Sequence, residues 1–235
     1  MEKEEELRQK EIENSVLVAP LEEIRIMAQE YLAGSAEIFS TLMALEEKGW
    51  KIRRCRRDGD CFYRGVSFCL VENTQRKSDD EKRGFLGKIK KTLLDGGYDE
   101  IVFEQFLDVL ADAVFSEENQ KKLLELMTDD EKGNSLVVLM RFLTGSHIKQ
   151  NAEHYSSFLE GVDTASFVQR EVETLGKYAD HIQTDALSKC IDSPICVFHA
   201  SSSSSEPRAI FVGPEKPPEI FLLYRPGHYD ILYKD

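Results

Sequence analysis

The sequence predicts an α+β fold in which a helical N-terminal part packs on a mostly antiparallel C-terminal sheet. Apolar residues recur at helical spacing over most of residues 21–191, whereas short β-type runs dominate residues 195–233. The 235 residues, 41% of them hydrophobic, suffice for one sizeable core. We therefore predict a single domain over residues 15–235, preceded by a charged tail or helix over residues 1–14.

The first part of the chain is predicted to form two helices and a short strand. Proline is tolerated in the first turn of a helix and glycine favours its end, so Pro20 and Gly49 bound the two helices. The alternation of apolar and basic residues over residues 50–53 predicts the strand. The two helices are predicted at residues 21–32 and 36–48.

The middle of the chain is predicted to be almost wholly helical from Cys61 onward. Polar residues predict loops at 73–80 and 129–134, and the second lacks the ligand spacing of a calcium-binding loop. Thr164 and Asp180 are suited to cap the helices that follow them. The helices predicted after the one at Cys61 cover residues 80–95, 103–115, 117–127, 135–149, 165–176 and 182–191.

The C-terminal part is predicted to supply the sheet, because short runs of β-branched and aromatic residues alternate there with turn residues. The serine run at 201–205 predicts a flexible linker, and the prolines of 213–218 predict a loop because they block strand pairing. Arg-Pro-Gly at 225–227 predicts the turn of a final hairpin. The strands are predicted at residues 195–198, 209–212, 220–224 and 228–233.

A polar turn that ends in Cys61 is the first candidate for chemistry. Asp58-Gly59 is typical of a turn, and the apolar residues after Cys61 predict that a helix begins there. The free amides and the dipole at that end favour an anion, so they are expected to lower a thiol pKa from about 8.5 toward neutrality. The same amides can hold the oxyanion of an acyl intermediate. A buried, unreactive cysteine is the alternative, since most cysteines perform no chemistry.

The second candidate lies in the predicted final hairpin. In an extended strand, His228 and Asp230 place both side chains on one face of the sheet. The carboxylate can then accept a hydrogen bond from one ring nitrogen, which leaves the other nitrogen free to take a proton from a thiol. An early cysteine at a turn-to-helix junction together with a late histidine is typical of cysteine hydrolases.

The composition excludes several classes of partner and site. The formal net charge of −13 predicts no nucleic-acid binding, since phosphate contacts need clusters of lysine and arginine. Apolar runs are too short for a membrane helix, so no membrane partner is expected. The five cysteines form neither a Cys-x-x-Cys pair nor a zinc-like spacing, and we expect no metal and no cofactor. Their odd number and the lack of a secretion signal predict a reducing compartment, the cytoplasm or the nucleus.

The two candidate segments together resemble those of otubains, a branch of the OTU cysteine deubiquitinases. Asp-Gly-Asp-Cys-Phe-Tyr-Arg at 58–64 and Tyr-Arg-Pro-Gly-His-Tyr-Asp-Ile-Leu-Tyr at 224–233 carry the resemblance, and residues 136–144 and 179–182 add to it. The resemblance implies a papain-like OTU fold, with one catalytic domain over residues 15–235. It also implies hydrolysis of isopeptide bonds between ubiquitin units.

Carried over by position, the resemblance implies that Cys61 is the nucleophile, His228 the general base and Asp230 the orienting carboxylate. The residues that it places at the oxyanion site are Asp58, Gly59 and Asp60. The residues that it places against ubiquitin are Asp180, His181, Tyr224 and Arg225. For Asp180 and His181, capping of the following helix is the alternative.

Otubains usually carry asparagine just before the nucleophile, whereas this chain has Asp60. A carboxylate beside the thiol opposes thiolate formation if it faces the sulfur, and has little effect if it faces solvent. Two classes of function follow: a thiol isopeptidase that cleaves ubiquitin chains or conjugates, or a non-catalytic module that binds ubiquitin or a ubiquitin-conjugating enzyme and restrains ubiquitin transfer. An unrelated papain-like peptidase is disfavoured by the two segments together.

Overall fold

The computed structural model describes residues 15–159, 161–201 and 206–234. The predicted tail over residues 1–14 and most of the predicted serine linker lie outside the described residues. The described part combines helices with one mixed sheet, and four of its six strands follow the last helix, which confirms the α+β class. No described helix combines the length and the apolar character that crossing a membrane requires.

Most of the helices lie where helices are predicted, but the short helix over Ala152–Ser156 has no predicted counterpart. They are α1 (Ile24–Ala28), α2 (Ala36–Glu47), α3 (Cys61–Gln75), α4 (Asp79–Asp95), α5 (Glu100–Phe115), α6 (Gln120–Thr128), α7 (Asp130–Gln150), α8 (Ala152–Ser156), α9 (Thr164–Phe167) and α10 (His181–Cys190). A 3₁₀ turn over Gln29–Tyr31 follows α1, and a π turn over Val168–Val172 follows α9.

The described strands form one sheet of six in the order β1-β2-β6-β5-β3-β4. Neighbouring strands are antiparallel except β3 and β5, so the sheet is mostly antiparallel, as predicted. The strands are β1 (Val18–Glu23), β2 (Trp50–Cys55), β3 (Ile195–His199), β4 (Arg208–Val212), β5 (Ile220–Arg225) and β6 (His228–Lys234).

The sheet is covered on both faces, because successive strand residues point to opposite sides. Leu222 and Ile231 pack into the larger core, which α3 and α7 complete. Their chain neighbours Leu223 and Leu232 pack into a second core with α1 and α2. As a result, the N-terminus of α3 lies close to the hairpin of β5 and β6, which is where the two candidate segments meet.

The first predicted helix is largely wrong. Residues 18–23 form the edge strand β1, and only residues 24–28 are α-helical. Pro20 is compatible with this strand because an edge position does not require every backbone N–H for pairing. The register of β1 against β2 shifts between Val18 and Leu21, which flank that proline.

The predicted loop at 129–134 is also wrong. Asp129 caps the helix that begins at Asp130, and its side chain accepts hydrogen bonds from the amides of Glu131 and Lys132. The helix dipole favours acidic residues in a first turn, and here these residues give the sequence the polar composition of a loop.

Two further boundaries differ from the prediction. The cap of α9 is Asp163, whose side chain accepts from the amide of Ser166, rather than Thr164. The predicted loop at 73–80 shrinks because α3 continues to Gln75, which is buried and donates to the carbonyl of Ala113.

Candidate active site

The turn before the candidate nucleophile, residues 58–60, is called the nucleophile turn here. Asp58 closes it by accepting a hydrogen bond from the Asp60 amide through Oδ1, at 3.0 Å. The other oxygen of Asp58 pairs with the fully buried guanidinium of Arg64 at 2.5 Å. The side chain of Asp58 therefore holds the turn and Arg64 together.

Gly59 adopts a φ of +85°, which favours glycine. A Cβ atom built on Gly59 would lie 2.0 Å from the carbonyl oxygen of Gly176, so no side chain fits at this position. The nucleophile turn thus packs backbone against backbone on a segment more than a hundred residues away in the chain.

The carboxylate of Asp60 points away from the thiol. It accepts hydrogen bonds from Arg141, including one from Nε at 2.9 Å, and each of its oxygens lies 3.1 Å from the amide nitrogen of Gly176. The chain's departure from the usual asparagine therefore places an ion pair with Arg141 beside the nucleophile turn, and the negative charge of Asp60 is compensated there.

Cys61 is the first residue of α3, as predicted, but its side chain is only 1% exposed. The sulfur accepts a hydrogen bond from the Tyr229 amide at 3.3 Å. The pKa of the Cys61 thiol is raised to about 12, chiefly by burial. The charges of Asp230 and Asp58 also raise this pKa, whereas the hydrogen bond from the Tyr229 amide lowers it. The predicted lowering of this pKa by the helix N-terminus is therefore wrong for the protein in this state, because desolvation outweighs it.

His228 and Asp230 lie on β6 with both side chains buried. The Nε2 atom of His228 is 2.9 Å from Oδ1 of Asp230, so the predicted pairing of these two side chains is present. The Nδ1 atom of His228 has no hydrogen-bond partner among the described residues. One ring nitrogen is thus oriented by the carboxylate, and the other is available.

Arg225 and the backbone of β2 hold Asp230 from the opposite side. Arg225 donates to Oδ2 through Nε at 3.1 Å and Nη2 at 2.5 Å, and the Cys55 amide donates to Oδ1 at 3.0 Å. Burial alone would raise the pKa of Asp230, but Arg225, His228 and the Cys55 amide together hold it well below its usual range. Asp230 therefore stays ionised beside the imidazole.

This geometry corrects the placement of Arg225 against ubiquitin. Its side chain is 4% exposed and is committed to Asp230 and the Tyr31 hydroxyl, so it cannot present its charge at the surface. The hairpin register could have revealed this arrangement: Leu223 pairs with Asp230, which makes Arg225 a diagonal neighbour of Asp230 on the same face. The contacts of Arg141 had no comparable sequence pattern.

A cavity of about 440 Å³ opens next to Tyr229, the residue whose amide holds the thiol. Three of the four predicted ubiquitin contacts, Asp180, His181 and Tyr224, line it. Asp180 also caps α10: its side chain accepts from the His181 amide at 2.8 Å, which confirms the capping alternative. The remaining lining residues are Tyr178, Ala179, Thr184, Val197, His199, Ile210, Val212, Gly227 and Tyr229.

Comparisons with known proteins agree on one family. A family model described as peptidase C65 otubain matches residues 10–234. Ubiquitin thioesterase OTUB1 of Homo sapiens is 32% identical over 225 residues, which cover 93% of this chain and 83% of that protein. The ovarian tumor domain-containing deubiquitinating enzyme 1 of Arabidopsis thaliana is 31% identical over 245 residues, with 92% and 80% covered.

The solved structures agree with the sequence comparison. An OTUB1 chain in a structure of h/ceOTUB1, ubiquitin aldehyde and UBC13~Ub superposes with a TM-score of 0.87 at 28% identity, covering 99% of this chain and 96% of that one. A related structure with UBCH5B~Ub gives the same TM-score at 27% identity, with 100% and 96% covered.

Proposed function

This chain belongs to the peptidase C65 otubain family of cysteine deubiquitinases, and from that premise we propose that Cys61, His228 and Asp230 form its catalytic triad. Two contacts that meet at β6 carry the proposal. The Tyr229 amide binds the Cys61 sulfur, which places the thiol beside the residue that follows His228, and His228 is paired with Asp230. These contacts support a convergence of nucleophile, base and orienting carboxylate from α3 and β6, which covalent catalysis by cysteine requires.

The protein in this state is a resting form, with a protonated thiol. Catalysis requires Nδ1 of His228 to reach the sulfur and take its proton when a ubiquitin C-terminus fills the neighbouring cavity. Asp230, kept ionised by Arg225, then stabilises the imidazolium.

The thiolate attacks the carbonyl carbon at the C-terminus of ubiquitin, and the C=O electron pair moves to oxygen. Backbone amides of residues 59–61 are proposed to hold this oxyanion. Collapse of the intermediate expels the lysine amine, which takes its proton from His228 and leaves a thioester on Cys61. Water, deprotonated by His228, then attacks the thioester and releases ubiquitin and the free thiol.

The test is labelling by ubiquitin that carries a C-terminal electrophile, read by intact mass. We expect one adduct on the wild type, none on Cys61→Ser, and a loss of at least about 100-fold in labelling rate for His228→Ala. A wild type that binds ubiquitin but stays unlabelled would refute the enzyme proposal.

A second function is favoured by a specific observation. The matched OTUB1 structures contain UBC13~Ub or UBCH5B~Ub alongside ubiquitin aldehyde. We propose that this chain also binds ubiquitin-charged conjugating enzymes and restrains their transfer of ubiquitin. Restraint without catalysis would survive in Cys61→Ser, whereas hydrolysis would not, so discharge of a charged conjugating enzyme in the presence of this variant separates the two functions.

A further inference from the structure

A buried arginine on α7 joins the nucleophile turn to a distant segment. Arg141 is fully buried, and its guanidinium lies 4.2 Å over the ring of Tyr63. Besides Asp60, it donates to the carbonyl of Val172 through Nη1 at 2.7 Å and to the carbonyl of Lys177 through Nη2 at 2.8 Å. A single side chain thus binds the residue before the nucleophile and both sides of one loop.

The loop between Val172 and Lys177 is the first part of residues 172–180, which are called the 172–180 segment here. Its middle residue, Gly176, contacts the nucleophile turn twice: its amide donates to Asp60, and its carbonyl occupies the space where Gly59 would carry a Cβ atom. No flexible side chain separates the two backbones at this point. A shift of the segment toward the turn therefore has to displace the turn as well.

The two ends of the 172–180 segment differ in their surroundings. At its start, Glu173 accepts hydrogen bonds from the Tyr98 hydroxyl and from Lys149, the latter at 2.9 Å. At its end, Tyr178 and Asp180 line the cavity that Tyr229 also lines. The segment therefore runs from a fixed anchor to the wall of the cavity, and Arg141 holds it between these points.

We propose that Arg141 is a positioning residue that holds the nucleophile turn and the 172–180 segment, which forms part of the cavity wall, in a fixed relative position. In this position, the amides of residues 59–61 are oriented to donate hydrogen bonds to the oxyanion when a ubiquitin C-terminus fills the cavity. This inference rests on the proposed function of Cys61. Asp60 links the two parts directly, because both of its carboxylate oxygens accept from the Gly176 amide while Oδ1 also accepts from Arg141.

A merely structural role can be separated from positioning. Removing Arg141 alone leaves a buried carboxylate unpaired and two carbonyls without their donor, which destabilises a protein for reasons unrelated to catalysis. Asp60→Asn removes the charge but keeps an acceptor for Gly176. The double variant Asp60→Asn/Arg141→Met loses the contacts to Val172 and Lys177 without leaving a buried unpaired charge. It is compared with Asp60→Asn and also with the wild type, because Asp60→Asn alone leaves the buried Arg141 cation without its carboxylate.

The experiment measures hydrolysis of a fluorogenic ubiquitin C-terminal amide. Relative to Asp60→Asn, we expect the double variant to lose about 10- to 100-fold in kcat with little change in KM, because the misplaced groups act on the reacting carbonyl. A kcat within about twofold of the reference would overturn the proposal, since Arg141 would then only neutralise Asp60.

Arg53→Met provides a matched control. Arg53 is another buried arginine, bound to the carbonyl of Ala19 and the side chain of Gln120 at 3.1 Å each, and neither hydrogen bond reaches the nucleophile turn. Its loss should lower the melting temperature and leave the kcat of the folded fraction unchanged. An equal fall of kcat in Arg53→Met would show that general destabilisation explains the effect, and would overturn the positioning role.

Amide hydrogen exchange provides a readout that does not depend on activity. We expect the amides of residues 58–61 and 173–180 to lose protection together in the double variant, relative to Asp60→Asn. Loss confined to residues 173–180 would overturn the coupling. If wild type is not labelled by the ubiquitin electrophile, the proposed function fails, and the exchange result still decides whether Arg141 couples the two segments.

Discussion

The raised pKa of Cys61 predicts slow thiol chemistry in the free protein. With a pKa of about 12, about one thiol in ten thousand is ionised at pH 8, against about one in four for an ordinary cysteine of pKa about 8.5. The more basic thiolate is intrinsically about 30-fold more nucleophilic, given a Brønsted coefficient of about 0.4–0.5. The net expectation is an exchange rate with a small aromatic disulfide about 100-fold below that of glutathione, before any loss from limited access.

The assay follows the mixed disulfide on the Cys61 peptide by mass spectrometry between pH 7 and 11. Because the thiolate reacts, the rate should climb about tenfold per pH unit until the pKa is approached, whereas glutathione levels off above about pH 9. His228→Ala should not slow this reaction, since Nδ1 of His228 has no bond to the sulfur. A wild-type rate at pH 7 that matches glutathione, levels off below pH 8 and falls in His228→Ala would refute the resting thiol.

Substitutions at Arg225 and at Asp180, each compared with a milder variant, test the surroundings of the site. Arg225→Met should cost about 3–5 kcal/mol in the free energy of unfolding at pH 7, because it leaves Asp230 buried without its cation. The lowered pKa of Asp230 stabilises the fold above its unfolded value of about 3.9, and this contribution is lost only as pH falls through the folded value. The loss of stability in Arg225→Met should therefore shrink on acidification. Tyr31→Phe, which removes the other partner of Arg225, should cost only about 1 kcal/mol. Equal losses of stability in Arg225→Met and Tyr31→Phe, measured by urea unfolding, would contradict this reasoning. Asp180→Ala should cost about 1 kcal/mol and Asp180→Ser much less, since serine also caps; a rise in KM for ubiquitin in both variants would show that Asp180 also binds substrate, whereas unchanged KM values would limit it to capping.

Most helices could be predicted from the sequence because their apolar residues recur with the helical period and their ends carry turn residues. The errors occurred where local chemistry suits two structures. The acidic run after Asp129 suits a loop as well as a first turn, and the long apolar helix behind it decides between them. Residues 18–23 became a strand because β2 offers them an edge, a long-range pairing that no window of local sequence contains.

The candidate triad could be predicted for a different reason. Cys61 follows a turn that requires glycine, and His228 and Asp230 are two residues apart on a strand, so both patterns are local. The state of the thiol could not be predicted, because its pKa depends on how deeply the folded protein buries it. The sequence pattern indicates the start of a helix, whose dipole lowers this pKa. It does not indicate the desolvation of the thiol, which raises the pKa by more.

The acidic residues around the nucleophile share one arrangement that links these findings. Each is paired with an arginine that is at most 4% exposed: Asp58 with Arg64, Asp60 with Arg141, and Asp230 with Arg225. Three uncompensated carboxylates near a thiol would oppose its ionisation at every stage of the reaction. With their charges paired, burial is the largest obstacle to the thiolate, whereas the hydrogen bond from the Tyr229 amide favours it. We therefore expect the charge of Asp60 to depend on Arg141 for its compensation, a dependence that an asparagine at this position would not have.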